Sequence, residues 1–302
     1  MTWRLLPPLA ALVLAACGGG SPADPGPPPD ARLDQANRAG TQALSMDMPS
    51  LAVRQYTTAL HRAYERDDAG AIADVSYNLA LAQMRAGDAK AAIATVRSAQ
   101  RDLERRRAPV PAELFLVLAA ASYRAGDLAA ADSAAQEALS RTSGDGDTAL
   151  RAWFIRGLVA AQRGDGAALA QAIAALPPSK QADLQADREE LEGRAALLGN
   201  RPAEALALLQ RAAANRQQAL DYRGMARALA SAADAAQRSG QAAEAADLLL
   251  RAGRSALLQG DAATALPLLR RAEETARQTG QTGIVDEVAR LRRTAAERAT
   301  AK

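Results

Sequence analysis

The 302-residue chain is short of the residues that most often do chemistry. It has one histidine, one cysteine and two phenylalanines, and aromatic residues make up 3% of it. A single Cys excludes a disulfide within the chain, and one Cys with one His cannot build a zinc site of Cys and His ligands. A catalytic triad that needs histidine would have only His61 to use. An excess of one charge sign is also lacking, since 37 Lys and Arg face 34 Asp and Glu for a net of +3. That balance makes no electrostatic case for a nucleic-acid partner, despite a pI of about 9.3. Lysine occurs only at Lys90, Lys180 and Lys302. The bias to arginine is read as genome composition, so it is no argument for phosphate binding. β-branched and aromatic residues are sparse, and long strands are not expected.

Alanine fills the space these residues leave, at roughly a quarter of the chain against an ordinary usage well below that. Ala and Leu are strong helix formers, with Arg, Gln and Glu on the polar faces. The composition predicts an all-α protein made of many thin helices packed closely, each touching only its neighbours.

The first thirty residues read as an address and a tether. Arg4 precedes an apolar run from Leu5 to Ala16. The run falls short of the roughly 20 residues a bilayer-spanning helix needs, and it has the layout of a secretory signal. Leu14, Ala15, Ala16 and Cys17 resemble the lipobox of bacterial lipoproteins. The resemblance implies a signal peptide over 1–16, cleavage before Cys17 and acylation of its thiol. Gly18, where an Asp would retain the protein in the inner membrane, points in a Gram-negative host to the outer membrane, facing the periplasm. Residues 17–30 form the acylated cysteine and a Gly/Pro-rich tether, which at about 3.1 Å per residue reaches roughly 40 Å.

From residue 31 to 302 the chain repeats itself. Met84-Arg85-Ala86-Gly87-Asp88 is echoed by Tyr123-Arg124-Ala125-Gly126-Asp127, by Arg163-Gly164-Asp165 and by Gln259-Gly260-Asp261. Gly ends a helix in the left-handed conformation, and Asp caps the next one, so Gly-Asp marks a helix hairpin. Eight residues before the turn lies a small residue: Gly40, Ala80, Ala119, Gly157, Gly193 or Ala233. After it come Ala52, Ala92, Ala131, Leu169, Ala205 and Ala245, then Ala59, Ala99, Ala138, Leu176, Ala212 and Ala252. This pattern resembles the tetratricopeptide repeat (TPR). The copies start near Leu33, Ala73, Ala112, Leu150, Ala186 and Ala226, spaced by about 36 to 40 residues rather than the 34 of the family. The fold expected is a TPR-like α-solenoid of about six helix hairpins plus a C-terminal helical cap. Two readings of the end stay open: the helix from Ala242 to Leu258 closes one repeat or opens another.

Motifs of chemistry are missing. No Glu-Ser pair, His-Glu-x-x-His or phosphate-binding glycine loop occurs. Glu189, Glu190 and Glu192 spread over more than one helix face and read as a solvated surface. His61 reads as a surface or boundary residue, and Arg101, Arg105, Arg106 and Arg107 as the basic end of a helix, complementing its dipole. No catalytic residue, metal ligand or cofactor is assigned.

A partner would lie in the groove lined by the first helix of each pair. By the resemblance, groove positions include Tyr77, Asn78, Met84, Arg85, Tyr123, Arg124, Phe154 and Arg194. Asn78 matches the groove Asn that holds a ligand backbone in the family, while the family's Lys and Asn set for a C-terminal carboxylate is not present. The expectation is a lipid-anchored, non-catalytic scaffold for protein or peptide partners in envelope assembly, such as pilus, outer-membrane protein or peptidoglycan machinery. The alternative is an enzyme or glycan-binding regulator acting on peptidoglycan.

Overall fold

The computed structural model describes residues 28–142 and 146–300, with side chains through 297. The signal peptide, Cys17 and most of the tether lie outside the described residues. The helical unit begins at Ala31. It comprises α1 (Ala31–Ser45), α2 (Pro49–Glu65), α3 (Ala69–Arg85), α4 (Ala89–Arg105), α5 (Ala112–Arg124), α6 (Leu128–Ser140) and α7 (Asp147–Arg163). It continues with α8 (Gly166–Ala174), α9 (Ala182–Leu198), α10 (Pro202–Gln218), α11 (Tyr222–Arg238), α12 (Ala242–Leu258), α13 (Ala262–Gln278) and α14 (Thr282–Thr300). There is no strand among the described residues.

Each helix packs antiparallel on the next, and α3, α5, α7, α9 and α11 also stack on one another. Among the described residues the apolar core is accordingly not one body but four successive clusters. That is the quasi-linear construction expected of repeats that bury surface only against neighbours.

The Gly-Asp junctions form as expected. Gly87, Gly126, Gly164 and Gly260 are left-handed, with φ between 73° and 87°. Asp88, Asp127, Asp165 and Asp261 accept the N–H of Ala91, Ala130, Ala168 and Thr264 at 2.8 to 3.1 Å. Asp47, Asp67, Arg107, Asn200 and Leu220 adopt the same left-handed turn without being glycine. A search for Gly-Asp passes over them, because the turn is enforced by the two helices it joins. At the α10–α11 junction, for example, Asp221 N–H closes on the Arg216 carbonyl at 2.9 Å, the bond of a Schellman motif.

The small-residue register is a packing register. Ala52, Ala92, Ala131, Leu169, Ala205 and Ala245 are all fully buried. A Cβ on Gly193 would lie 2.6 Å from Leu209, and one on Gly40 would lie 2.7 Å from Tyr56. Paired helices therefore approach until the backbone of one meets a large side chain of the other. The same relation recurs between Gly253 on α12 and Leu269 on α13, at 2.8 Å. Meanwhile α12 also packs along α11, with Ala233 and Leu249 fully buried. Both sequence readings of α12 hold: it closes the sixth pair and opens the next. Consistently, α14 packs on α12 as well as α13. Its apolar side, Ile284, Val288 and Leu291, meets the core, and Asp286, Arg290, Arg292 and Arg293 are exposed. The outward side of α14 is therefore polar, as expected of a helix face that no further repeat covers in this structure.

Candidate partner-binding groove

The stacked first helices present one side chain per turn to the inner face of the solenoid. Helical spacing selects them: Tyr77 and Leu81 on α3; Leu116, Ala120 and Tyr123 on α5; Asp147, Arg151, Phe154 and Leu158 on α7. Together with Asp187, Arg216, Asp221 and Arg227 they line an open cavity of about 540 Å³. One wall is aromatic and aliphatic; the rest is a mosaic of arginines and carboxylates.

The floor of that mosaic is a buried ionic cluster. Glu190 is fully buried. It accepts two bonds from Arg227, Nε at 2.7 Å and Nη2 at 3.0 Å, one from Arg216 at 2.9 Å and one from Arg194 at 3.1 Å. Arg216, itself buried, also donates to Asp187 at 2.7 Å and to Asp221 at 2.7 Å. The guanidinium groups of Arg216 and Arg227 lie 5.1 and 5.3 Å from the centre of the Phe154 ring. Burial opposes the charge on Glu190, but Arg227, Arg216 and Arg194 outweigh it and hold the carboxyl well below the usual range. Asp187 goes the other way: burial raises it to about 6, only partly offset by Arg216. The Glu189–Glu192 segment is therefore not the solvated surface expected from sequence. Glu189 is buried too and accepts from Asn215 at 2.8 Å, and Glu192 pairs with Arg188 at 2.8 Å.

Beside this groove the solenoid meets itself. Arg124, at the end of α5, donates to Asp261 at the start of α13 at 3.1 Å. Arg223 on α11 donates to the carbonyl of Arg85 at 2.6 Å and lies 3.7 Å from Asp261. The two hydrogen bonds join positions 137 and 138 residues apart. They border a second cavity of about 440 Å³ that shares Tyr123, Arg124 and Arg227 with the first.

The residues named from sequence fall in several places. Tyr77, Tyr123, Arg124 and Phe154 line the larger cavity. Arg85 and Arg124 also close off the preceding first helix, donating to the carbonyls of Leu44 and Met84 at 3.4 and 2.9 Å. Met84 is buried in the core, Asn78 faces Asn37 of α1 at 3.5 Å, and Arg194 lies in the Glu190 cluster. His61 is exposed beside Glu65. Asp187, Arg216, Arg223 and Arg227 were not singled out, and Asp261 was read only as the cap of a turn. The register did carry part of the signal: by the resemblance the second and fifth places of each copy face the groove, and Asp187 and Glu190 hold them in the copy that starts at Ala186. Among the described residues no group of three or more His, Cys, Asp or Glu side chains is placed to hold a metal ion. Nor is any described helix long and apolar enough to cross a membrane.

No family model and no curated protein matches the sequence. Solved structures do match the fold. A tetratricopeptide repeat protein from Parabacteroides merdae superposes with a TM-score of 0.50 at 14% identity, covering 86% of this chain and 98% of its own. A Rap protein complexed with Competence and Sporulation Factor superposes at 0.51 with 13% identity, covering 88% and 98%. By fold, this chain is a helical-repeat solenoid of the tetratricopeptide type.

Proposed function

We propose that this chain is a scaffold that takes an extended segment of a protein partner along its inner face, and that Cys17 anchors it by lipid to the outer membrane, facing the periplasm. The observation that carries the reading is the open 540 Å³ cavity with an aromatic wall and charged rim. Such a surface buries an apolar side chain and orients it with a few polar groups. The Rap protein of similar fold was solved with Competence and Sporulation Factor bound, so the architecture accommodates an occupant. The lipobox and tether support a place of work in the cell envelope.

A photo-crosslinking residue at Tyr77, activated in cells and followed by mass spectrometry, tests the groove. One or a few protein adducts, absent when the crosslinker sits at exposed His61, support the scaffold. Adducts to glycan alone favour a peptidoglycan-binding regulator instead. Fractionation of a Cys17→Ala variant tests the anchor, and unchanged membrane association would refute it.

A further inference from the structure

We propose that the outward face of α4 docks on anionic phospholipid headgroups, through Lys90, Arg97 and Arg101 with Arg105 and Arg107 at its end. This rests on the reading that the chain works at a membrane, and it names the side that meets the lipid. α4 packs on α3 and α5 and buries Ala92, Val96, Ala99 and Leu103. Half a turn round the helix, Lys90, Arg97 and Arg101 fall within an arc of about 40° and are exposed. From Lys90 to Arg105 the row is roughly 22 Å long.

Missing partners set this row apart. Arg141 after α6, Arg211 on α10, and Arg251 and Arg254 on α12 each meet a carboxylate. Lys90, Arg97, Arg101 and Arg107 meet none among the described residues. Glu104 is the one exposed carboxylate of α4 and pairs with none of them, while Asp102 is buried and taken by Arg105 and Arg106. Stability does not explain the arrangement. The helix dipole favours a cation in the last turn, but not Arg97 in the middle or Lys90 in the first turn. Arg97, Arg101 and Arg105 are like charges four residues apart, which repel along a helix. An anionic surface relieves that repulsion. None of these cations lines either large cavity, so the row offers an extended surface and not a pocket for one bound anion. Because successive helices run antiparallel, the end of α4 lies on the same edge of the array as the start of α1. The chain that precedes Ala31 therefore joins the array at the edge where Arg101, Arg105 and Arg107 stand. The groove is lined by first helices, α3, α5 and α7, and α4 is a second helix. Docking by its outward face leaves the groove open to a partner.

The test is co-sedimentation of the full chain carrying Cys17→Ser with two kinds of vesicle. One is phosphatidylcholine, and the other is an equal mixture of phosphatidylcholine and phosphatidylglycerol. The thiol is absent and the leader is common to every arm, so neither supplies a difference. The chain should prefer the anionic vesicles. Replacing the row together, as Lys90→Gln with Arg97→Gln and Arg101→Gln, should weaken that binding on the order of a hundredfold, with helical content and melting temperature kept. A dye on Ala94→Cys, within the row, should be shielded from acrylamide by the anionic vesicles, and one on Ala207→Cys, exposed on α10, should not. Equal binding to both vesicles, unchanged binding by the triple variant, or shielding at position 207 in place of 94 overturns the proposal. So does a row that ignores the vesicles and holds polyglutamate, which would mark a face for an acidic protein. Fractionation of Cys17→Ala after a high-salt wash reads the lipid anchor alone, so the two readings fail separately.

Discussion

The side chain of Arg216 passes directly over Gly224: a Cβ at position 224 would lie 2.8 Å from the Arg216 Nε and closer still to its Cδ. Arg216 leaves α10 and crosses the first turn of α11 to reach Asp187 and Glu190 on α9. The crossing is open only because position 224 has no side chain. Gly224→Ala therefore sets two effects against each other. Alanine is favoured by about 1 kcal/mol within a helix. Displacing Arg216 breaks a buried charge network, at a cost of about 3 kcal/mol or more. The variant should be less stable, read as a lower urea midpoint with unchanged helical content at 25 °C.

The cluster also sets a pH dependence. Asp187 has a folded pKa raised to about 6 above an ordinary unfolded value near 4, so between those limits the folded state holds the extra proton. Stability should then fall as pH rises from about 4 to 6, by on the order of 1–2 kcal/mol, and level off above. Asp187→Asn should remove that slope in urea melts taken across the window. Glu190, held below the usual range, has the opposite sign: its contribution is present above its unfolded pKa and is lost as pH falls toward the folded value. Glu190→Gln should flatten the acid limb and lower stability at neutral pH.

The register of small residues makes a sharper steric forecast. Gly193→Val would drive two methyl groups toward Leu209 and should cost about 1–3 kcal/mol by overpacking. Gly283→Ala is the control, since nothing lies within 4 Å of its would-be Cβ. It should leave the melting temperature unchanged or raise it slightly.

Leu220 holds a left-handed conformation with φ of 58° and is 70% exposed. The backbone strain is about 1–2 kcal/mol, and the exposed side chain returns little packing. Leu220→Gly should raise the melting temperature, and a fall would show that the side chain packs where it stands.

Asp261 combines a helix cap with the self-contact. Asparagine caps a helix as well as aspartate does. Asp261→Asn should therefore keep α13 intact and weaken only the contacts to Arg124 and Arg223. Partly exposed ion pairs contribute up to about 1 kcal/mol, so the closure is easily opened. Small-angle scattering should report a larger radius of gyration for Asp261→Asn, and for the wild type at high salt.

Helix pairing was legible because it rests on local rules. Gly87-Asp88 or Gly126-Asp127 specify a turn whatever the rest of the chain does. An alanine repeated at the helix-crossing positions marks a close contact in every copy. The groove was only partly legible. Tyr77, Tyr123 and Phe154 could be found by counting along their helices. Glu190 could not be valued by counting, because a carboxylate on a polar-looking helix reads as solvated until arginines from α10 and α11 are seen to close over it.

The same division holds for the protein as a whole. Composition, turn chemistry and the small-residue register were enough to specify an all-helical repeat array, since each acts over a few residues or between adjacent helices. How far the array curls is a sum of small rotations over many pairs, and no short stretch of sequence contains that sum. The curl brings Arg124 to Asp261 and Arg223 to the backbone of Arg85, and with them the second cavity comes into being.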